Sequence, residues 1–359
     1  MLATLTDQLR RGAPLSAAEV MDAIECLIDE QASPALKAEF LFALAHKGET
    51  LEEISAFARV LRDKAVQPML DPETRSREII DVVGVGGDRL GTFNISTTAA
   101  IVVAAGGVTV AKHGNRAVTS QTGSADVLEA LGIPIDLSPV QAAQALRERH
   151  FAFFFAPRYH PAFKHIAPAR KLCAEQGQRT VFNFLGPLLN PVKPSAMLMG
   201  VPNPESCELM ARVLQTLGVR RAMVVCGTVL PAGIEGSSGS EAPPRYVDEL
   251  TTLGPNSIAE FYQERGFATS TLAHESFDAQ PATLADLTGG GREQNAEITR
   301  RILSGDDRSP RRDVVLLNAG AALFVAGKVR SLTEGWDLAA RLIDGGNATA
   351  KLSELARPA

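Results

Sequence analysis

The first 66 or so residues carry the apolar and polar pattern of helices alone. Ser16 with Glu19 and Thr50 with Glu53 have the spacing of capping boxes, in which a hydroxyl accepts from the backbone N–H three residues on and the carboxylate reaches back. Ser33 followed by Pro34 suits an N-cap and a first helical position. A small helical unit is predicted. After the polar, proline-bearing stretch QPMLDPETRSRE the pattern changes. Short β-branched or apolar runs at 79–83 and 108–111 read as strands, and a run at 96–106 and a segment near 124–131 read as helices. Ser138, Pro139 and Gln141 open another helix, followed by FAFFFAP at 151–157, LMGV at 198–201, a helix from about 204 to 217, and AMVVC at 222–226 as a buried strand. Alternation of this kind is the mark of an α/β protein, because a sheet with helices on both faces buries every run. Between Gly227 and Tyr246 the segment GTVLPAGIEGSSGSEAPPRY is too rich in Gly, Pro and Ser to pack regularly and predicts a long mobile surface loop. No internal repeat is apparent.

Length and composition narrow the class. With 359 residues, 45% of them hydrophobic, the chain exceeds the usual single-domain range, and two domains are expected. A formal net charge of −5 supplies no global field for a polyanion, which disfavours nucleic acid as the main partner. Cys26, Cys173, Cys207 and Cys226 are far apart and form no CxxC pair, so they read as reduced core thiols. The opening MLATLTDQLRRG lacks the order of a signal peptide. The longest apolar run, 99–111, contains Gly106, Gly107 and Thr109 and falls short of the roughly 20 residues of a membrane helix. A cytoplasmic protein without a membrane partner is expected.

Two segments carry chemistry. Asp81-Val-Val-Gly84-Val-Gly86-Gly87-Asp88 is a strand running into a glycine loop, and Gly91-Thr92-Phe-Asn94-Ile-Ser96-Thr97-Thr98 then opens a helix. Glycines let backbone N–H groups approach an anion closely, and a helix N-terminus presents unpaired N–H groups and a partial positive charge. The spacing is neither a GxGxxG nor a GK[ST] loop, yet the physics points to phosphate. The second segment, Lys112-His113-Gly114-Asn115-Arg116-Ala-Val-Thr119-Ser120-Gln-Thr122-Gly123-Ser124-Ala-Asp126, also follows a short strand and leads into a helix. Lys112 and Arg116 would bring charge to a diphosphate, and Ser120 and Ser124 suit hydrogen bonds to its oxygens.

The strings GVGGD, GTFNIST, KHGNRAVTS and TGSAD resemble the anthranilate phosphoribosyltransferase family. The likeness continues through FFFAPRYHPAFKHIAPARK at 153–171, TVFNFLGPLLNP at 180–191, EQNA at 293–296 and LLNAGAAL at 316–323. It implies a small all-α domain, residues 1–70 with a helical excursion near 160–190, and a large α/β domain, 71–359. The large domain would hold a central mixed sheet flanked by helices, as in nucleoside phosphorylases and phosphoribosyltransferases, with the site in the cleft between domains and two copies pairing through the small one. It further implies that Gly84, Gly87, Asp88, Thr92, Asn94, Ser96, Thr97, 112–120 and Ser124 line a phosphoribosyl pyrophosphate site. Asn115 and Arg170 would hold anthranilate, with His113, Tyr159, His160 and Pro187 shaping its path. Ser96, Asp248 and Glu249 would bind magnesium, and Lys112, Asn115 and Arg170 would carry catalysis. Gly84 to Gly91 would be the segment that moves on closure. The chain departs from the family's pattern at Val85, in the length of LCAEQGQ, and before the acidic pair, where Cys226-Gly227, the long insert and Tyr246-Val247 replace the usual His-Gly and Gly-Leu. Two alternatives are a pyrimidine nucleoside phosphorylase and a non-catalytic relative that binds nucleic acid.

Overall fold

The computed structural model describes residues 1–117, 121–230, 244–263 and 265–357. Four helices open the chain: α1 (Leu2–Arg10), α2 (Ala17–Ile28), α3 (Pro34–Lys47) and α4 (Leu51–Asp63). Both expected capping boxes form. The Ser16 hydroxyl accepts from the Glu19 N–H at 3.3 Å and that of Thr50 from the Glu53 N–H at 3.2 Å, with both carboxylates reaching back. Ser33 caps α3 through the Leu36 N–H, with Pro34 in its first turn. These devices orient Val20, Ile24, Phe40, Leu44 and Phe57 into one apolar centre. The chain returns to it through the helices Pro161–His165, Ala167–Glu175 and Phe182–Leu188, which contribute Ile166, Ala169, Cys173 and Leu185.

Among the described residues eight strands form one mixed sheet: β1 (Ile79–Gly84), β2 (Thr109–Gly114), β3 (Phe151–Phe155), β4 (Ala196–Gly200), β5 (Arg221–Val229), β6 (Arg245–Val247), β7 (Asn256–Tyr262) and β8 (Gly266–Leu272). Their order is β3-β2-β1-β4-β5-β7-β8, with β6 on β5. The first five in this order run parallel, whereas β6, β7 and β8 join antiparallel. From β1 the chain adds strands to one side, and with β4 it begins the other. In open α/β sheets that reversal leaves a crevice beyond the carboxyl ends of the two strands, where ligands bind. Here it lies between Gly84 and Gly200, which are partners in register.

The faces of the sheet bury separate cores. Ile80, Val82, Val110, Phe153, Leu198 and Val225 pack under the helices Ile95–Ala105, Pro310–Val325 and Leu332–Asp344. Ile95–Ala105 lies between sheet and outer helices, which explains why it is apolar on every side. On the other face Met197, Met199, Val224, Cys226 and Phe261 share a continuous core with α1–α4.

Two expectations change. The second strand does not stop at 111 but carries Lys112 and His113 in its ladder, opposite Phe153 and Phe154, because the Lys112 ammonium finds a carbonyl acceptor inside. The arms of the segment expected to be an irregular loop are strands: Gly227, Thr228 and Val229 pair with Val247, Tyr246 and Arg245. Residues 231–243 lie outside the described residues. The β7–β8 hairpin went unanticipated.

Candidate active site

At the strand reversal the backbone makes room for a carboxylate. A Cβ on Gly84 would strike the Asp248 carboxylate and one on Gly200 the Asp248 backbone carbonyl, so the glycine pair creates the space that Asp248 fills. Its Oδ2 accepts from the Gly86 N–H at 2.6 Å, with Gly86 and Gly87 in the left-handed region at φ 81° and 85°. Glu249 reaches the N-terminus of the helix Ile95–Ala105, where its Oε1 accepts from the Ser96 N–H at 3.2 Å. Burial raises the pKa of both carboxylates. Asp88 and Glu249 add repulsion at Asp248, while Lys112 and the Ser96 bonds restrain the rise at Glu249. Thr92 bridges to Thr288, and Thr97 is buried in the first turn of the helix. Asn94 donates to the Thr122 carbonyl at 3.3 Å and accepts from Asn295 at 2.9 Å, so the EQNA segment fixes the amide's orientation.

The second loop is tied to the first below the surface. Lys112, 1% exposed, donates from Nζ to the Val82 carbonyl at 2.6 Å. Asp81 accepts from Asn190 at 2.9 Å and from the His113 N–H at 3.4 Å. Burial lifts its pKa to about 6, against the opposing pull of Lys112 and Asn190. Asn190 also donates to the Ala111 carbonyl at 2.7 Å, clamping TVFNFLGPLLNP to β2. The Asn115 carbonyl accepts from the Ser124 hydroxyl at 3.4 Å and from the Ala125 N–H at 3.2 Å. Arg116, expected to face a diphosphate, is instead turned outward onto Asp126 and Glu129, each at 3.0 Å. It must exchange those partners to meet a ligand. Ser120 lies outside the described residues.

Beside the second loop, residues of the helical excursion build an aromatic wall. His113 and His160 meet edge to face with ring centroids 5.3 Å apart; Phe163 lies 5.2 Å beyond His160 and packs against Phe182 at 5.7 Å. The Arg170 guanidinium lies over the Phe182 ring at 5.5 Å with no hydrogen bond or ion pair among the described residues. Pro187 is buried in the helix Phe182–Leu188. Tyr159 is not brought to this wall: it is fully buried against Phe154, and its hydroxyl donates to the Leu137 carbonyl at 3.1 Å, so it packs behind His160. Phe163, Phe182, Asn190 and Asn295 are additions to the expected site. All four lie inside strings whose pattern was noted but whose single residues had no assigned role.

His113 Nδ1 stands 3.1 Å from the Gly186 carbonyl, which can only accept. The proton therefore sits on Nδ1, and Nε2, buried and without a partner among the described residues, is a bare acceptor. Burial and the neighbouring His160 depress the His113 pKa to about 3; burial lowers that of His160 to about 4. A depressed histidine pKa means that protons bind only well below neutrality. Both rings are thus expected to stay neutral from pH 8 down to pH 5, with His113 as the Nδ1–H tautomer. Long-range 15N–1H correlation spectra check this, and an imidazolium signature at pH 6 would refute it.

Comparison with known proteins follows the same division. Residues 3–65 match the helical bundle domain of a glycosyl transferase family and residues 76–349 its a/b domain. The anthranilate phosphoribosyltransferase of Acetivibrio thermocellus is 44% identical over 356 residues, 99% of this chain and 95% of that protein. The chain belongs to the anthranilate phosphoribosyltransferase family. The anthranilate phosphoribosyltransferase structure from Thermus thermophilus superposes with a TM-score of 0.84 at 40% identity, covering 98% of each chain. The anthranilate phosphoribosyltransferase from Saccharomyces cerevisiae, in complex with PRPP and Mg, superposes with a TM-score of 0.82 at 25% identity, covering 99% of this chain and 96% of that one. Among the described residues no helix is long and apolar enough to cross a membrane.

Proposed function

We propose that this protein transfers the 5-phosphoribosyl group of phosphoribosyl pyrophosphate to the amine of anthranilate, giving N-(5-phosphoribosyl)anthranilate and pyrophosphate, a step of tryptophan biosynthesis. The observation that carries the reading is the pair of groups the fold assembles: a glycine loop and helix N-terminus at the strand reversal, and aromatic rings with the guanidinium of Arg170, which makes no hydrogen bond or ion pair among the described residues. The donor side takes a diphosphate through the N–H groups of 84–97, with Lys112 beneath it. The acceptor side takes a planar aromatic acid, whose carboxylate suits the fork of Arg170 and whose amine Asn115 and the bare His113 Nε2 can orient. As the C1–O bond to pyrophosphate breaks, the ribose acquires oxocarbenium character, and the amine nitrogen forms the new bond to C1 and releases a proton to solvent. Weak nucleophilicity makes this a reaction of positioning and charge stabilisation.

Asp88, Asp248 and Glu249 offer only hard oxygen donors and carry repulsive charge that a cation relieves. Among the described residues no three acidic, His or Cys side chains close into a metal cage. That combination suits magnesium, which keeps its waters and binds through one or two carboxylates plus substrate phosphates. Asp248, Glu249 and Ser96 would hold it, and when bound it would supply positive charge to the leaving diphosphate.

An open groove of about 730 Å³ between α1, α3 and the helix Ala167–Glu175, walled by Leu9, Ala38, Phe42 and Leu172, supports pairing of two copies through the small domain. The four thiols, none of them in a disulfide, fit a cytoplasmic location.

Incubation with phosphoribosyl pyrophosphate and magnesium should consume anthranilate fluorescence, and EDTA should stop it; thymidine with phosphate should give no thymine. Arg170→Ala should raise the Michaelis constant for anthranilate about tenfold or more while leaving that for the sugar donor unchanged. Unchanged anthranilate kinetics would take Arg170 out of the acceptor site.

A further inference from the structure

A second guanidinium, on the small domain, lies near the histidine pair. Arg62, in the last turn of α4, is 4% exposed, yet among the described residues its side chain makes no hydrogen bond or ion pair, and its Nε is buried without a partner. Its place is fixed from both sides. The Arg62 carbonyl accepts from Gln67 at 2.7 Å, and the Val66 N–H donates to the Tyr159 carbonyl at 2.9 Å, which lays the end of α4 beside His160. Helix α4 also packs on Phe182–Leu188, and the charge of Arg62 is felt at the His113 ring.

A guanidinium cannot shed its charge as a buried lysine can: burial lowers the Arg62 pKa only to about 10, so it is a cation at neutral pH. Burying an unpaired cation is expensive, and folded proteins supply an anion to offset it. The carboxylate whose field reaches Arg62, that of Asp63, is already bound by Lys193 at 2.8 Å on the surface. Among the described residues no carboxylate pairs with Arg62, which leaves that place to the anion of a ligand. Its neighbours describe that ligand: imidazole rings for an aromatic plane, a cation for an acid, and the bare acceptor His113 Nε2 for an N–H donor beside the acid. Phosphates are served by the neighbouring strand end, at the glycine loop.

We propose that Arg62 is a specificity residue of the acceptor site, its guanidinium receiving the carboxylate of an ortho-amino aromatic acid from the small-domain side. The assignment rests on the acceptor reading given above, and it explains how the small helical domain takes part in recognition.

Wild type, Arg62→Gln and Arg62→Lys are compared by calorimetric binding of benzoate and by steady-state kinetics with anthranilate and 2-aminobenzamide. Circular dichroism confirms the fold of each. Arg62→Gln should weaken benzoate binding and raise the anthranilate Michaelis constant by about 10- to 100-fold, leave the donor constant unchanged, and reduce the preference for anthranilate over the amide by a similar factor. Arg62→Lys, which keeps charge and loses the fork, should fall between. A folded Arg62→Gln that binds benzoate as tightly as wild type, or that loses acid and amide acceptors equally, overturns the proposal. If Arg62→Gln does not fold, wild-type benzoate affinity in Arg62→Lys overturns it. Wild type that binds benzoate but does not consume anthranilate removes the activity reading alone, and the benzoate comparison still decides Arg62.

Discussion

Gly84→Ala is expected to lower kcat/KM by about 10²-fold or more while leaving circular dichroism close to wild type. The added methyl group lands on the Asp248 carboxylate at the end of β1. Asp248 is enclosed, held by the Gly86 N–H and confined by the Gly200 backbone, so it can move only by leaving its place above the strand reversal. Loss of that carboxylate would also free the Gly86 N–H and disorder the turn proposed to present amides to the diphosphate. Magnesium titrations of activity should shift to higher concentration in the variant. Gly200→Ala should be harsher, because its methyl group meets backbone and not the end of a side chain. A fully active Gly84→Ala enzyme with unaltered magnesium response would separate Asp248 from the reaction.

Lys112→Ala should reduce turnover by about 10² or more and also destabilise the fold. The two effects have different origins. Rate should fall because the cation proposed to lie beneath the leaving diphosphate is gone. Stability is lost because Asp81 and Glu249, both enclosed, no longer have the Lys112 charge that offsets their burial. Removing one member of a buried charge group typically costs about 3 kcal/mol or more. Thermal melts and single-turnover measurements on folded enzyme resolve the two. Wild-type single-turnover rates would remove Lys112 from the chemistry whatever the melting temperature does.

Much of this was legible without coordinates, for local reasons. Capping boxes announce α2 and α4 because their hydrogen bonds span only three residues. GVGGD and KHGNR are readable as a pair because each joins a strand end to a helix start within one short string. The second strand was cut short since a lysine and a histidine look like loop residues until a carbonyl and a carboxylate are placed beside them. Strand β8, exposed along most of its length, carries little of the apolar alternation that betrays a buried strand. Asn190 and Asn295 act on Asp81 and Asn94 across 109 and 201 positions of sequence, and no spacing rule reaches that far. Arg62 was invisible for a related reason: an arginine near a helix C-terminus is ordinarily a solvated end charge, and only its burial without a partner among the described residues sets it apart.

The apolar centre that α1–α4 share with Met197, Met199, Val224 and Phe261 of the sheet has a bearing on how the cleft could narrow. Because bundle and sheet share that centre, a hinge that opened them like a book would expose greasy surface at every cycle. Narrowing is better served by sliding of packed helices over the strands, in small steps that keep side chains interdigitated.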